Sequence, residues 1–317
     1  MPLQQLLAQQ GFVALDGGLA TELEVLGANL NDSLWSAKLL LESPQMLERV
    51  NYAYLCAGAD IATTASYQAT ILGLMSKGLT APQAEAKIRL SVDIARQARD
   101  RFWSDPALRI GRFKPLVVAS IGPYGAYLHD GSEYLGHYGL THDQLKDFHR
   151  ARLAILVDSK PDLIAFESFP SQPEGEAIVD LLTEFPSATC WISFTCRDEG
   201  RISEGTALAA AVRAVALSTQ VLAVGVNCVP PRFVQALLNA AKQETDKPLV
   251  AYPNSGAGFD PRSSTWDQKS ELPLIQESVL TWYQAGARLI GGCCNTTPDT
   301  IREIRAALSA VQQPVSL

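Results

Sequence analysis

Apolar residues recur along this chain in short unbroken runs, each closed by a turn signal or a polar residue. Residues 12–15 stop at Asp16-Gly17-Gly18, 60–64 follow a Gly-Ala step, 116–121 stop at Gly122-Pro123, and 162–166 stop at Glu167-Ser168. Residues 190–195 form the fifth run. Residues 221–226, 249–252 and 288–290 end at Asn227-Cys228, Pro253-Asn254-Ser255-Gly256 and Gly291-Gly292-Cys293-Cys294. Unbroken rather than alternating apolarity suits strands covered on both faces, as in a parallel sheet. Between the runs, residues 44–55, 81–102, 141–157, 173–184, 207–217, 231–242, 272–285 and 298–311 repeat apolar positions at helical spacing. Thr141 followed by Gln144 has the form of a capping box. Proline near several helix starts is favourable, because the first turn does not need that N–H. Strand then helix, eight times over, predicts an α/β fold: a single (β/α)8 TIM barrel spanning 1–317. Two long connections, 17–44 and 122–140, become extended loops at its C-terminal face, where active sites are built.

Composition narrows the function classes. Of 317 residues, 47% are apolar and 19% charged, which supports a substantial core and excludes wholesale disorder. Lys and Arg number 26 against 33 Asp and Glu, a net charge of −7 with no basic block, so nucleic acid is a poor partner. No apolar stretch approaches the roughly 20 residues a spanning helix needs. The N-terminus shows no cationic stretch followed by an apolar one. The expectation is a cytoplasmic protein with no membrane, no nucleic acid and no obligate protein partner.

Polar residues gather at the predicted strand ends, which converge on one mouth in this fold: Asp16, Thr64 with Ser66, Ser120, Glu167, Thr195, Asn227 and Asn254. Six cysteines are too few for a disulfide scaffold. Cys56, Cys190 and Cys196 read as structural. Cys228 ends the sixth run and Cys293-Cys294 the eighth, alternate staves of one barrel. On topology alone this trio has two readings, buried thiols without a metal or ligands to one ion. Three thiolates suit zinc (Zn2+) with a fourth position open, the mark of a catalytic site. Such an electron-rich site favours a soft sulfur ligand and would deprotonate a substrate thiol, which points to S-alkylation. His129, His137, His142 and His149 match no metal signature and read as loop and helix-surface residues.

The stretches Leu15-Asp16-Gly17-Gly18, Ser120-Ile121-Gly122-Pro123, Phe166-Glu167-Ser168, Gly225-Val226-Asn227-Cys228, Pro253-Asn254-Ser255-Gly256 and Gly291-Gly292-Cys293-Cys294 resemble the homocysteine S-methyltransferase family, in order and over essentially the whole chain. The stretches 32–38, 123–127 and 130–134 resemble its S-methylmethionine-using branch. No C-terminal extension like that of the betaine-using enzymes follows the last predicted helix, and no further domains like those of the cobalamin-dependent ones are present.

The resemblance implies methyl transfer to homocysteine, forming methionine, from S-methylmethionine or, as a substitute, S-adenosylmethionine. It implies zinc on Cys228, Cys293 and Cys294, with Glu167 and Asp16 near the amino-acid end of homocysteine and Gly17, Gly18, Thr64, Ser66 and Asn227 around it. Asp16 also reads as the cap of an Asp-Gly turn, and Glu167 as half of a structural ion pair. Asn227 and Asn254 also read as loop-holding residues. Tyr67, Tyr124, Tyr127 and Tyr134 are candidates to face the donor's cation, with packing as the alternative for each. Competing functions are a non-catalytic zinc- or thiol-binding barrel and a redox switch on Cys293-Cys294.

Overall fold

The computed structural model describes residues 1–256 and 270–311, with the backbone of 259–260 and 265–266. Its strands are β1 (Val13–Ala14), β2 (Ile61–Thr63), β3 (Leu116–Ile121), β4 (Leu163–Phe169), β5 (Cys190–Phe194), β6 (Val221–Asn227), β7 (Leu249–Tyr252), β8 (Phe259–Asp260), β9 (Thr265–Trp266) and β10 (Ala287–Ile290). Eight of them form one all-parallel sheet in the order β1-β10-β7-β6-β5-β4-β3-β2, while β8 and β9 pair as a separate antiparallel hairpin. The helices Pro44–Ala57, Ala81–Ser104, His142–Asp158, Gln172–Leu182, Leu208–Ala216, Pro231–Lys242, Leu272–Gln284 and Pro298–Val311 follow the eight sheet strands in turn. This is the expected TIM-barrel order. No helix among the described residues is long and apolar enough to cross a membrane.

Three elements depart from expectation. A helix, Pro2–Gln10, precedes the first strand, and its Leu3 and Leu6 pack into the barrel's own interior. The hairpin was not foreseen. β4 runs on through Glu167 and Ser168 to Phe169 instead of ending before them.

The strands' period of two divides their side chains. Val13, Leu15, Val118, Leu163, Ala165 and Leu289 fill the barrel interior, with Trp191 among them. The alternate residues, such as Ala119, Phe166, Ile192 and Val224, pack against the helices. Carried one step further, the inward rows reach Thr63, Ser120, Glu167, Ser193, Asn227 and Tyr252. The polar site is thus the uppermost inward layer of the barrel.

β1 and β2 are the ends of the sheet order, and two aspartates stitch them together. The Asp60 N–H donates to the Ala14 carbonyl at 2.7 Å, and the Ala14 N–H donates to Asp60 Oδ2 at 2.9 Å. Higher up, the Thr63 N–H donates to Asp16 Oδ2 at 3.0 Å. Carboxylates here replace the carbonyls a regular ladder would supply. Asp60 is buried and also receives Arg305 Nη1 at 2.7 Å and Gln10 Nε2 at 2.6 Å, with Arg112 at 3.5 Å.

Removing one member of such a buried charge cluster leaves the others uncompensated. Asp60→Ala should therefore lower the unfolding free energy by about 3–5 kcal/mol, measured by urea denaturation. A loss below about 1 kcal/mol would show that the remaining backbone contact holds the seam by itself.

Candidate active site and metal centre

Above the polar layer lies a cavity of about 340 Å³, walled by the segments after β1 and β2, the loop after β3, and the ends of β4, β6 and β10. Cys228, Cys293 and Cys294 share this wall, their sulfurs all within 4.8 Å of one another. One stretch of chain spaces them. The Cys228 N–H donates to the Tyr252 carbonyl at 2.9 Å, and the Cys293 N–H to the Pro253 carbonyl at 2.6 Å. The Ser255 N–H donates to the Cys294 carbonyl at 3.0 Å. Gly291 and Gly292 make the approach possible. A Cβ on Gly291 would lie 2.5 Å from Leu15 Cβ, and one on Gly292 2.6 Å from Thr296 Cγ2.

The sulfurs of Cys228 and Cys294 are 3.7 Å apart, and those of Cys293 and Cys294 3.9 Å. A disulfide needs about 2.05 Å, and all three are free thiols. A tetrahedral ion with sulfurs at about 2.3 Å separates them by about 3.8 Å. The residues therefore fit a metal. Cys293 and Cys294 donate to Cys228 and hold its thiol well below the usual range, with further bonds from Tyr134 and Asn254. Cys293 and Cys294 are pushed up in return. Tyr134 Oη lies 3.5 Å from Cys228 Sγ.

Four carboxylates line the cavity, Asp16, Glu24, Glu133 and Glu167, and no Lys or Arg does among the described residues. Burial drives Glu167 up to about 8, against the pull of a bond from Ser120, and the nearby Asp16 adds to the rise. Burial raises Asp16 as well, although Tyr252 and Thr63 donate to it. Burial also takes Glu133 to about 7.

The expected site residues divide sharply. Asp16, Gly17, Gly18, Thr64, Glu167, Asn227, Tyr67 and Tyr134 line the cavity with the three cysteines. Ser66, Tyr124 and Tyr127 do not. Ser66 belongs to a closed ring: the Ser120 N–H donates to Thr64 Oγ1 (3.1 Å), Thr64 pairs with Ser66 Oγ (2.6 Å), and Ser66 donates to the Ser120 carbonyl (2.7 Å). Since that carbonyl can only accept, Thr64 is the donor to Ser66, and both hydroxyls are spent clamping β2 to β3. Tyr124 and Tyr127 sit on the one-turn helix Tyr124–Leu128 and pack with Phe148, at 4.9 and 5.4 Å between ring centres. Asn227 holds β4 and β5, receiving the Ser168 N–H (2.7 Å) and the Ser193 hydroxyl (2.8 Å) on Oδ1 and donating one Nδ2 hydrogen to Ser168 Oγ (2.7 Å). Gly18 N–H is committed to Thr296 Oγ1 at 3.1 Å. Asn254 caps its own loop through the Gly256 N–H.

His149 is fully buried, not a helix-surface residue. Burial holds its imidazole neutral, Arg152 lies against Nδ1 at 3.2 Å, and Nε2 is 2.8 Å from Glu174. Because arginine only donates, Nδ1 accepts and Nε2 carries the proton. Arg152 also donates to the carbonyls of Tyr67 (2.8 Å) and Gly122 (2.7 Å), so this pair braces the loop that carries the Tyr67 ring. Sequence reasoning missed Tyr54 and Tyr252 as cavity residues, and no motif marks them; Glu133, in the 130–134 stretch of the expected site-lining loop, does line the cavity.

The fold and the thiol cluster define a barrel enzyme with a metal-competent sulfur site. The family model for homocysteine S-methyltransferase matches residues 13–308. The chain is 47% identical to homocysteine S-methyltransferase YbgG of Bacillus subtilis, over 96% of this chain and 97% of that one. It is 45% identical to selenocysteine methyltransferase of Astragalus bisulcatus, over 97% and 96%. The metallated form of homocysteine methyltransferase MmuM from Escherichia coli superposes with a TM-score of 0.87 at 43% identity, covering 97% of this chain and all of that one. The chain belongs to the homocysteine S-methyltransferase family and is an enzyme of that activity. That membership sets aside the non-catalytic alternative.

Glu167 gives this site a testable signature. Its pKa of about 8 lies above the ordinary 4.5, so the folded state holds an extra proton between those values. That contribution to stability is present at low pH and is lost as pH rises through the window. Without substrate, Glu167→Gln should melt at least about 2 °C above the parent at pH 8, with the gap closing at pH 5. An equal gap at both pH values would contradict the shifted carboxyl.

Proposed function

We propose that this enzyme moves a methyl group from a sulfonium donor, S-methylmethionine foremost and S-adenosylmethionine as a substitute, to the sulfur of homocysteine, with zinc held by Cys228, Cys293 and Cys294. The observation that carries this reading is the sulfur trio at near-tetrahedral spacing, open to the cavity. When bound, zinc on three thiolates supplies a position for a fourth sulfur and favours its thiolate form at neutral pH.

The chain's own residues do the rest. Among the described residues Glu167 has one hydroxyl partner and no cation, so its carboxyl is available to the acceptor's ammonium group, with Asp16 beside it. Gly17 N–H serves the acceptor carboxylate better than Gly18, whose N–H is already bonded. Tyr67 and Tyr134 offer ring faces to the donor cation. Trp35 packs edge-on against Tyr67, at 6.1 Å between ring centres, and helps keep water out. The homocysteine thiolate attacks the methyl carbon. A new S–C bond forms as the donor's S–CH3 bond breaks, and the electron pair returns to the donor sulfur. No covalent enzyme intermediate is needed. A cavity walled by carboxylates without Lys or Arg favours cationic donors over anionic ones. Three unbridged thiols suit the reducing cytoplasm.

Methionine formation from homocysteine, followed with each donor in parallel, should proceed with S-methylmethionine, stop on chelation and return with added zinc. Cys293→Ala should lose the metal and at least about 100-fold in turnover while keeping its circular dichroism spectrum. Full activity in that variant would remove the cysteine trio from the mechanism.

A further inference from the structure

Glu133 lies in the one-turn helix Ser132–Tyr134, in the loop after β3. Its neighbour Tyr134 reaches Cys228 Sγ, so this turn sits against the sulfur cluster. The turn is fixed from two sides. Thr195 Oγ1 donates to the Glu133 carbonyl at 3.3 Å, and Gly125 packs so closely that a Cβ there would lie 2.5 Å from Glu133 N.

The Glu133 side chain lines the cavity, and its Oε2 is shielded from solvent with no hydrogen-bond partner. The carboxylate's one favourable contact is with its own backbone N–H, and the charges nearest to it, Cys228 and Asp130, share its sign. A buried carboxylate without a cation is costly, and the described residues that line the cavity include no Lys or Arg that offsets it. The substrates bring positive charge. The acceptor's ammonium has Glu167 and Asp16 at the top of β4 and β1. The donor brings two positive charges, its own ammonium and the sulfonium sulfur that carries the methyl group, and only the second, beside the cluster, is lost on transfer.

We infer that Glu133 makes this site specific for a cationic methyl donor, its carboxylate pairing with the donor's sulfonium. The inference rests on the sulfonium reading above and names the residue that enforces it. When the acceptor thiolate takes the methyl carbon, the electron pair of the broken bond neutralises the donor sulfur. The attraction to Glu133 therefore exists before transfer and vanishes after it. It stabilises the bound donor more than the transition state, in which that charge is already fading, so removing it raises KM without lowering kcat. The same loss of charge weakens the hold on the demethylated product.

The test compares S-methylmethionine with methionine, its neutral counterpart, by titration calorimetry on metal-loaded parent enzyme and Glu133→Gln. The parent should prefer the sulfonium, and the variant should lose about tenfold or more of that preference. In turnover, the KM for S-methylmethionine should rise by a similar factor, with kcat unchanged or raised and the KM for homocysteine unchanged. Glu133→Asp keeps the charge and should retain part of the preference, which separates charge from a general disturbance of the loop. Melting temperature and metal content report whether each variant is folded. A parental preference preserved in Glu133→Gln overturns the inference while leaving the sulfonium chemistry standing. So does a rise in the homocysteine KM alone. A parent that turns over neither S-methylmethionine nor S-adenosylmethionine overturns the sulfonium reading and this inference with it.

Discussion

The site depends on one short length of backbone, from the last residue of β7 to Ser255. Its peptide groups bond to Cys228 on one side and to Cys293 and Cys294 on the other. The sulfurs are thereby fixed too far apart to bridge and close enough to share an ion. β7 takes its own place from its ladders, with Asn227 opposite Tyr252 on one side and Ile290 opposite Ala251 on the other. A one-residue slip in either ladder would turn the cysteine-bearing ends to the opposite face of the sheet. The parallel register is what converts two distant cysteine motifs into one cluster.

The second constraint is electrostatic. The cavity holds four carboxylates and the thiol cluster, and among the described residues its lining offers no Lys or Arg. Elsewhere in the barrel, buried carboxylates are paired. Asp60 has Arg305 and Arg112, and Glu174, although its Oε2 also lacks a hydrogen-bond partner, has the His149 N–H, the Tyr124 N–H and the charge of the adjacent Arg152. The contrast shows that the fold can neutralise a buried acid where neutrality serves the barrel. At the mouth, burial raises the pKa values of Glu133 and Glu167, no cation among the described residues offsets it, and both carboxyls are left with an affinity for a positive ligand.

The barrel was legible because its strands are buried on both sides and read as unbroken apolar runs. The runs stop being legible where the inward face turns polar. β4 seemed to end before Glu167 because a carboxylate interrupts the apolar pattern, yet that side chain simply continues the inward row of Leu163 and Ala165. The sulfur trio was legible as chemistry at strand ends, but its spacing comes from hydrogen bonds to 252–255 that no motif spells out. His149 shares the buried face of its helix with Leu145, Arg152, Leu153 and Leu156, a helical spacing that polarity disguised. Tyr124 and Tyr127 could not be aimed from sequence, because the direction of a loop helix depends on the partner it packs against. Ser66 and Thr64 were expected around the acceptor, and the closed ring that ties them to Ser120 depends on the β2–β3 register, which no motif spells out.

On the reading proposed, the reaction brings a thiolate and a sulfonium together and leaves two neutral thioethers. Water stabilises the separated charges strongly, so it opposes their collapse. A dry, narrow cavity removes that opposition, but it must first attract two charged sulfurs out of solvent. The sulfur cluster provides for the anionic partner, and the carboxylate wall for the cationic one. Neither provision favours the products, because each acts on a charge that the reaction removes. The orphan carboxylates and clustered thiols therefore hold the reactants in a state whose charges can be relieved only by methyl transfer or by release.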